Sequence, residues 1–233
     1  MIESFSSPNY DERPHGASVD MLVLHYTGMP SAQEALEALC DPAREVSAHY
    51  FIYENGKTLA LVPEGRRAWH AGKAYWRGHR DINARSIGVE LVNPGHEWGY
   101  RDFPAAQMDA LIELAQGILE RHPIPARNVL AHSDVAPARK QDPGDRFDWG
   151  RLASKGIGLW AGEGVEFWPL GSDLGAVNAF NRDLECFGYD PGVPPDVATT
   201  AFQRHYRPWR IDGNVDVESH RILRKLIAAA RES

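Results

Sequence analysis

Two histidines stand directly after short apolar segments, where an imidazole can meet a metal ion. His25 follows residues 21–24, and His132 follows residues 129–131. A neutral imidazole is a common zinc ligand, and a carboxylate can complete a set of three protein ligands that leaves a fourth position for water. Asp142 lies beyond His132 in a loop rich in proline, which can turn its carboxylate back toward the histidine. Local hydrogen bonding in two polar loops is the alternative, and two separated histidines taken alone favour it.

The segments around these residues alternate between strand and helix patterns. Strand-like composition occurs in residues 21–24, 47–53, 58–62, 87–92 and 129–131. The dipeptide Asn55-Gly56 predicts a hairpin between the second and third of these segments. Ser31 begins a capping-box signal for one helix, and helical spacing of apolar residues predicts another over 105–121. This alternation predicts an α/β domain over residues 1–160.

The remainder of the chain has a different pattern. Residues 161–170, with the sequence AGEGVEFWPL, indicate a linker. Over residues 171–233 the apolar side chains recur at helical spacing and predict a small domain of three helices. The first of these helices is expected to stop at Gly188, and Asp196 is the expected N-cap of the second.

Composition excludes several classes of protein. The chain has 233 residues, 43% of them hydrophobic, and a net charge of -7, which argues against a nucleic-acid partner. No segment reaches the roughly 20 apolar residues that a membrane span requires. Two cysteines, Cys40 and Cys186, are too few for a disulfide framework and are expected to be free thiols. The N-terminus carries no signal-peptide pattern, so a cytoplasmic location is expected, with a periplasmic one as the alternative if an export signal is missing.

Five segments occur in an order typical of a known family. They are Val23-Leu-His-Tyr-Thr27, Val46-Ser-Ala-His-Tyr50, Arg67-Ala-Trp-His-Ala-Gly72, Ser86-Ile-Gly-Val-Glu90 and the loop from His132 to Gly144. Together they resemble the zinc-dependent N-acetylmuramoyl-L-alanine amidases of the type-2 family, of the AmpD and AmiD kind. The resemblance covers residues 6–160 and implies a mixed central sheet flanked by helices, a fold shared with phage amidases and peptidoglycan recognition proteins.

The resemblance also implies the roles of particular residues. His25, His132 and Asp142 would bind one Zn²⁺ per chain, Glu90 would act as the general base, and Lys140 would stabilise the developing oxyanion. This chemistry is sound, because zinc lowers the pKa of bound water to about 7 and a positioned base contributes typically ~10² to 10⁴-fold in rate. A surface strand carboxylate and a solvated loop lysine are the alternatives for Glu90 and Lys140.

Four further residues are weaker candidates. Tyr26, Arg67, Trp69 and His70 are candidate substrate contacts, although packing beside a strand is the alternative for the aromatic residues, and orienting a metal ligand is the alternative for His70. Asp134 could also bind metal, yet its position two residues after His132 favours a role in capping the loop.

The expected activity is hydrolysis of the amide bond between N-acetylmuramic acid, including 1,6-anhydro forms, and L-alanine in peptidoglycan or muropeptides during wall turnover and recycling. A non-catalytic muropeptide-binding protein and a zinc peptidase acting within the stem peptide are the alternatives. The C-terminal helices resemble a three-helix peptidoglycan-binding domain, on the segments Phe187-Gly-Tyr189, Ala201-Phe-Gln-Arg-His-Tyr206 and Asp212-Gly-Asn-Val-Asp216. A packing module for the catalytic domain is the alternative there. The oligomeric state is not indicated.

Overall fold

A six-stranded mixed sheet forms the centre of the protein, which we describe from a computed structural model covering residues 2–162 and 174–232. The strands are β1 (Ile2–Ser4), β2 (Tyr10–Glu12), β3 (Met21–Tyr26), β4 (Tyr50–Ile52), β5 (Thr58–Ala60), β6 (Arg66–Ala68), β7 (Ser86–Leu91) and β8 (Val129–Ala131). The sheet has the order β1-β5-β4-β7-β3-β8, while β2 and β6 pair separately. Within the main sheet only the β4–β5 hairpin is antiparallel.

The helices connect these strands and form the C-terminal region. They are α1 (Ala32–Cys40), α2 (Gly95–Trp98), α3 (Ala105–Arg121), α4 (His132–Val135), α5 (Trp149–Ala153), α6 (Leu174–Phe187), α7 (Pro195–Tyr206) and α8 (Val217–Glu232). Short 3₁₀ turns lie at Pro42–Arg44, Asn83–Arg85 and Ala126–Asn128.

Local signals explain most of these boundaries. The Ser31 hydroxyl accepts a hydrogen bond from the Glu34 N–H and caps α1 as predicted. Gly56 has a φ of +85° in the predicted hairpin turn, a conformation that glycine adopts without steric cost. The expected N-cap at Asp196 is wrong: the N-cap is Pro194, two residues earlier, and α7 begins at Pro195. Proline fits the first helical position, because its fixed φ is helical and its missing N–H would have no partner there.

The two faces of the sheet are covered by different layers. Because side chains alternate along a strand, Leu22 and Leu24 of β3 face α3, while Met21 and Val23 face the C-terminal helices. The helix α1 covers a third cluster, around Phe51 of β4. The sheet is therefore buried on both sides, as parallel strands require.

The C-terminal helices share one apolar cluster with the sheet. Phe180, Phe202 and Leu226 belong to the same cluster as Met21 and Val23. Of the predicted linker, residues 163–170 lie outside the described residues, so the division into residues 1–160, 161–170 and 171–233 stays a prediction.

The predicted fold class, a mixed α/β sheet flanked by helices and followed by three helices, is confirmed. Cys40 and Cys186 are both free thiols, also as predicted. Among the described residues, no helix combines the length and the apolar character needed to cross a bilayer.

Candidate active site

Four of the predicted site residues lie close together at the carboxyl ends of β3, β7 and β8. In the parallel pairing of β3 and β7, His25 lies directly opposite Glu90. Both positions alternate with core residues that face α3, so both side chains lie on the opposite face of the sheet. His132 is the first residue of α4, directly after the neighbouring strand β8. The loop beyond α4 returns Asp142 to the two histidines.

Three atoms from these side chains form a tight, buried triangle. The Nδ1 atoms of His25 and His132 lie 2.9 Å apart, and each lies 3.0 Å from Oδ2 of Asp142. All three residues are buried, with exposed fractions of 1%, 3% and 5%. Among the described residues, this is the group whose ligand atoms could hold a single metal ion.

A chain of hydrogen bonds fixes which nitrogen of His25 carries the proton. The Ser86 hydroxyl donates to the carbonyl of Ile82, 2.7 Å away, so its oxygen accepts from Nε2 of His70 at 3.0 Å. The Nδ1 atom of His70 then accepts from Nε2 of His25 at 3.1 Å. Neutral His25 is therefore protonated on Nε2, and its Nδ1 presents a lone pair to the triangle.

The tautomer of His132 is fixed by a backbone carbonyl. Its Nε2 lies 3.2 Å from the carbonyl oxygen of Ala71, which can only accept a hydrogen bond. Nη2 of Arg139 lies farther from Nε2, at 3.4 Å, and donates to the same Ala71 carbonyl, so the carbonyl decides the tautomer. Neutral His132 thus also turns an Nδ1 lone pair toward Asp142. Three acceptor atoms that lie 2.9–3.0 Å from one another, with no proton between them, repel one another. A cation bound among them would replace this repulsion with attraction. The residues present therefore fit a metal ion.

The electrostatics favour the protonation states that bind metal. Burial, reinforced by His132, lowers the pKa of His25 to about 4, so the ring is neutral at pH 7. Burial alone would raise the pKa of Asp142, but His132 and His25, when they carry a proton on the facing nitrogen, hold that pKa well below its ordinary value. The carboxylate is therefore ionised before the rings lose that proton as the pH rises. A neutral imidazole beside an ionised carboxylate is the form that coordinates zinc.

Glu90 has the environment of a proton-transfer group. Burial, with the charge of Asp142, raises the pKa of Glu90 well above its ordinary value, and Lys140 opposes this. Its Oε2 is buried and has no hydrogen-bond partner within the described part of the chain. A buried, unpartnered carboxylate oxygen is costly unless a substrate or water molecule uses it.

A cavity of about 360 Å³ opens over the triangle. Glu90, Lys140, Tyr26, Trp69 and His70 all line it, together with His132 and Asp142. The Tyr26 hydroxyl lies 2.9 Å from Nδ1 of His96, another lining residue that the sequence did not single out. Burial raises the pKa of Tyr26 to about 12, so its hydroxyl stays protonated at neutral pH.

Arg67 is the one predicted substrate contact that lies away from this cavity. Its guanidinium pairs with Asp11 at 2.7 Å and Asp81 at 3.2 Å, and it lines a neighbouring cavity. The sequence placed Arg67 and Trp69 in one segment, but they line different cavities. Contact between Arg67 and substrate stays a prediction.

Sequence reasoning missed the residues that hold the ligands in place. The amide oxygen of Asn83 accepts from the backbone N–H groups of His70 and Ala71, at 3.1 and 2.8 Å, and so fixes the hydrogen-bond partners of His25 and His132. Gly88 leaves room for the His70 ring: a Cβ there would lie 2.6 Å from its Cδ2. A glycine inside a β-branched strand is a signal of such close approach. Asp134 caps the segment before His132, as predicted, by accepting from the Ala131 N–H.

His25, His132 and Asp142 thus form a possible metal site beside a cavity that Lys140 and the partly buried Glu90 also line, an arrangement that fits a metal-dependent hydrolase. The chain belongs to the N-acetylmuramoyl-L-alanine amidase family (Amidase_2), whose signature matches residues 15–145. The predicted family and amidase activity are thereby confirmed.

Individual relatives extend the match beyond that segment. The N-acetylmuramoyl-L-alanine amidase AmiD of Escherichia coli K12 is 37% identical over 233 aligned residues, which cover 90% of this chain and 82% of AmiD. A solved structure of E. coli AmiD with anhydro-N-acetylmuramic acid-L-Ala-D-gamma-Glu-L-Lys superposes with a TM-score of 0.79 and 34% identity, over 94% of this chain and 97% of that one. The 1,6-anhydro-N-acetylmuramyl-L-alanine amidase AmpD of the same organism is 35% identical over 63% of this chain and 87% of AmpD.

Proposed function

We propose that the protein is a zinc-dependent amidase that separates N-acetylmuramic acid from L-alanine in muropeptides, including those with 1,6-anhydro ends. One observation carries the metal assignment: Nδ1 of His25, Nδ1 of His132 and Oδ2 of Asp142 converge within 2.9–3.0 Å of one another, and the hydrogen bonds at the far side of each ring assign a lone pair to each of these nitrogens. Two nitrogens and one oxygen are a ligand set that suits zinc and leaves a position open for chemistry. The anhydro-sugar ligand of AmiD and the activity for which AmpD is named support the anhydro substrate.

The residues around the metal position supply proton transfer and charge stabilisation. Zinc bound there would lower the pKa of a water molecule and polarise the scissile carbonyl. Glu90 takes the proton of the attacking water, since its unpartnered Oε2 faces no competing donor among the described residues, and passes the proton to the departing amine of L-alanine. Lys140 lines the same cavity and stabilises the negative charge that develops on the carbonyl oxygen.

Two other activities were compatible with the sequence. A muropeptide-binding protein without catalysis would not need a carboxylate such as Glu90, whose burial is costly to the fold. A peptidase acting within the stem peptide would leave L-alanine attached to the sugar. The identity of the products therefore separates all three activities.

The test uses a defined anhydro-muropeptide and its reduced, non-anhydro counterpart. Protein dialysed against a chelator should lose hydrolysis, and one equivalent of Zn²⁺ should restore it. Mass analysis should show anhydro-N-acetylmuramic acid and a peptide that begins with a free L-alanine amine. Full turnover in protein that is metal-free by elemental analysis would reject the zinc proposal, and cleavage inside the stem would reject the amidase bond.

A further inference from the structure

Asp134 connects the metal site to the C-terminal helices. It lies in α4, two residues after His132, and its side chain is 0% exposed. Its Oδ2 accepts from the Ala131 N–H at 2.8 Å and from Nδ1 of His205 at 2.6 Å, and its Oδ1 accepts from the Tyr189 hydroxyl at 2.6 Å. Two of these three donors therefore come from the C-terminal region.

The two donors are themselves held rigidly. The His205 ring is stacked between Trp149 of α5 at 3.7 Å and Tyr206 at 3.8 Å, measured between ring centroids. Its other nitrogen, Nε2, is buried without a hydrogen-bond partner among the described residues, so the bond to Asp134 is the polar contact that orients the ring. Tyr189 is 1% exposed and packs edge-on against the buried Trp76.

The backbone of α4 carries this restraint to the metal ligands. Asp134 holds the N–H of Ala131, the residue that immediately precedes His132. The N–H of Ser133 donates to the backbone carbonyl of Asp142 at 3.0 Å. A helix of one turn has little stability of its own, so its position depends on such tertiary contacts. Both His132 and Asp142 are thus tied to the segment that Asp134 anchors.

We infer that Tyr189 and His205 are positioning residues for the metal site, which they hold in place through Asp134. The inference rests on the proposed metal ion. It gives the C-terminal helices a part in metal affinity that does not depend on contact with the cell wall. Without the two donors, the buried carboxylate of Asp134 would keep one partner, and a carboxylate so placed seeks other donors by moving. Movement of α4 would spread the three metal-ligand atoms.

The variants Tyr189→Phe and His205→Phe remove the donors while keeping an aromatic ring at each position. We expect the double variant to bind Zn²⁺ about tenfold more weakly than the parent. This is the low end of the loss of affinity that follows when a hydrogen-bond partner of a metal ligand is removed. Zinc dissociation constants come from competition with a chromophoric chelator, well below the melting temperature of each protein. His205→Asn keeps an N–H that can reach Asp134 and should recover affinity relative to His205→Phe.

Tyr206→Phe is the matched control. It removes a hydroxyl from the same helix, beside His205, that is not a donor to Asp134, and its zinc affinity should stay within about twofold of the parent. A role limited to stability would lower the melting temperature of the metal-free variants but leave their zinc affinity unchanged. If the double variant does not fold, Tyr189→Phe alone, which removes one oxygen atom, provides the measurement.

The outcomes separate the inference from the function on which it rests. A parent protein that binds no zinc would reject the proposed function. A parent that binds zinc while Tyr189→Phe, His205→Phe and their combination all bind it equally well would overturn the inference alone. An equal loss in Tyr206→Phe would also overturn it, because removing a hydroxyl that makes no hydrogen bond to Asp134 would then have the same effect as removing its donors.

Discussion

Replacing Gly88 with alanine would place a methyl group against the ring of His70. The new Cβ would lie 2.6 Å from Cδ2 and 2.7 Å from Nδ1 of that ring, well inside the ~3.5–4.0 Å at which carbon atoms normally pack. The ring must therefore retreat by about 1 Å. His70 holds Nε2 of His25 with a 3.1 Å hydrogen bond, which cannot persist when the donor and acceptor separate beyond about 3.6 Å.

The expected cost has two parts. Loss of the bond that orients a metal-ligating histidine lowers metal affinity by typically ~10 to 100-fold, which corresponds to about 1.4–2.7 kcal/mol. Crowding of a packed interior costs about 1–3 kcal/mol of unfolding free energy in addition. We expect both effects in Gly88→Ala, with the loss of zinc affinity as the specific one.

Zinc competition with a chelator measures the first effect, and urea unfolding of the metal-free protein measures the second. Gly65→Ala is the matched control, because a Cβ at this exposed position meets no atom within 4 Å and the backbone does not have a positive φ. That variant should keep the zinc affinity of the parent.

A double-mutant cycle tests whether the effect passes through His70. If the new methyl group acts by displacing the ring, then adding Gly88→Ala to His70→Ala should weaken zinc binding no further, since the ring is already gone. Additive losses in the double variant, or a Gly88→Ala protein with parental zinc affinity, would refute the reasoning.

Three further predictions concern the catalytic pair. Glu90→Gln should keep zinc but lose about 10² to 10⁴-fold in kcat, because the amide cannot accept the proton of water. Lys140→Ala should also keep zinc and lose about 10² to 10³-fold, mainly in kcat, because the charge that it stabilises develops in the transition state. Burial and the charge of Asp142 raise the pKa of Glu90 in the folded, metal-free protein. The folded protein therefore holds this proton more tightly than the unfolded chain, and its stability falls as the pH rises from the ordinary glutamate pKa through the raised one. Metal-free Glu90→Gln should therefore be more stable than the parent near pH 7 in urea unfolding, with the difference closing as the pH falls toward the ordinary glutamate pKa of about 4.3.

Each of these predictions has a contrary result. Glu90→Gln protein without zinc would make Glu90 a ligand, and retained turnover would remove it from the mechanism. A Lys140→Ala effect confined to KM would make Lys140 a substrate anchor. A stability difference between parent and Glu90→Gln that does not change with pH would mean that the carboxylate is ionised at no cost in the folded state.

Local sequence patterns predicted β3, β4, β5, β7 and β8 and the longer helices, because such patterns act over a few residues. They did not predict the three-residue strands β1, β2 and β6 or the short helices α2, α4 and α5. The Ser31 hydroxyl caps α1, and the turn at Asn55-Gly56 places the two hairpin strands. Val129–Ala131 ends where the sequence pattern ends, and His132 follows it directly. The resemblance to the amidase family then selected His25, His132 and Asp142 from many polar residues, which their types alone could not do.

The tertiary structure decided how those residues are held. The proton on Nε2 of His25 depends on His70, and Asp134 takes a hydrogen bond from His205, in a different part of the chain. Arg67 and Trp69 are close in sequence but line different cavities. Periodicity and caps describe one segment at a time, whereas the direction of a hydrogen bond and the pKa of a buried group depend on atoms brought together from distant segments. The sequence thus predicted which residues would do the chemistry, and the packing of the sheet against its helices decided their protonation and their support.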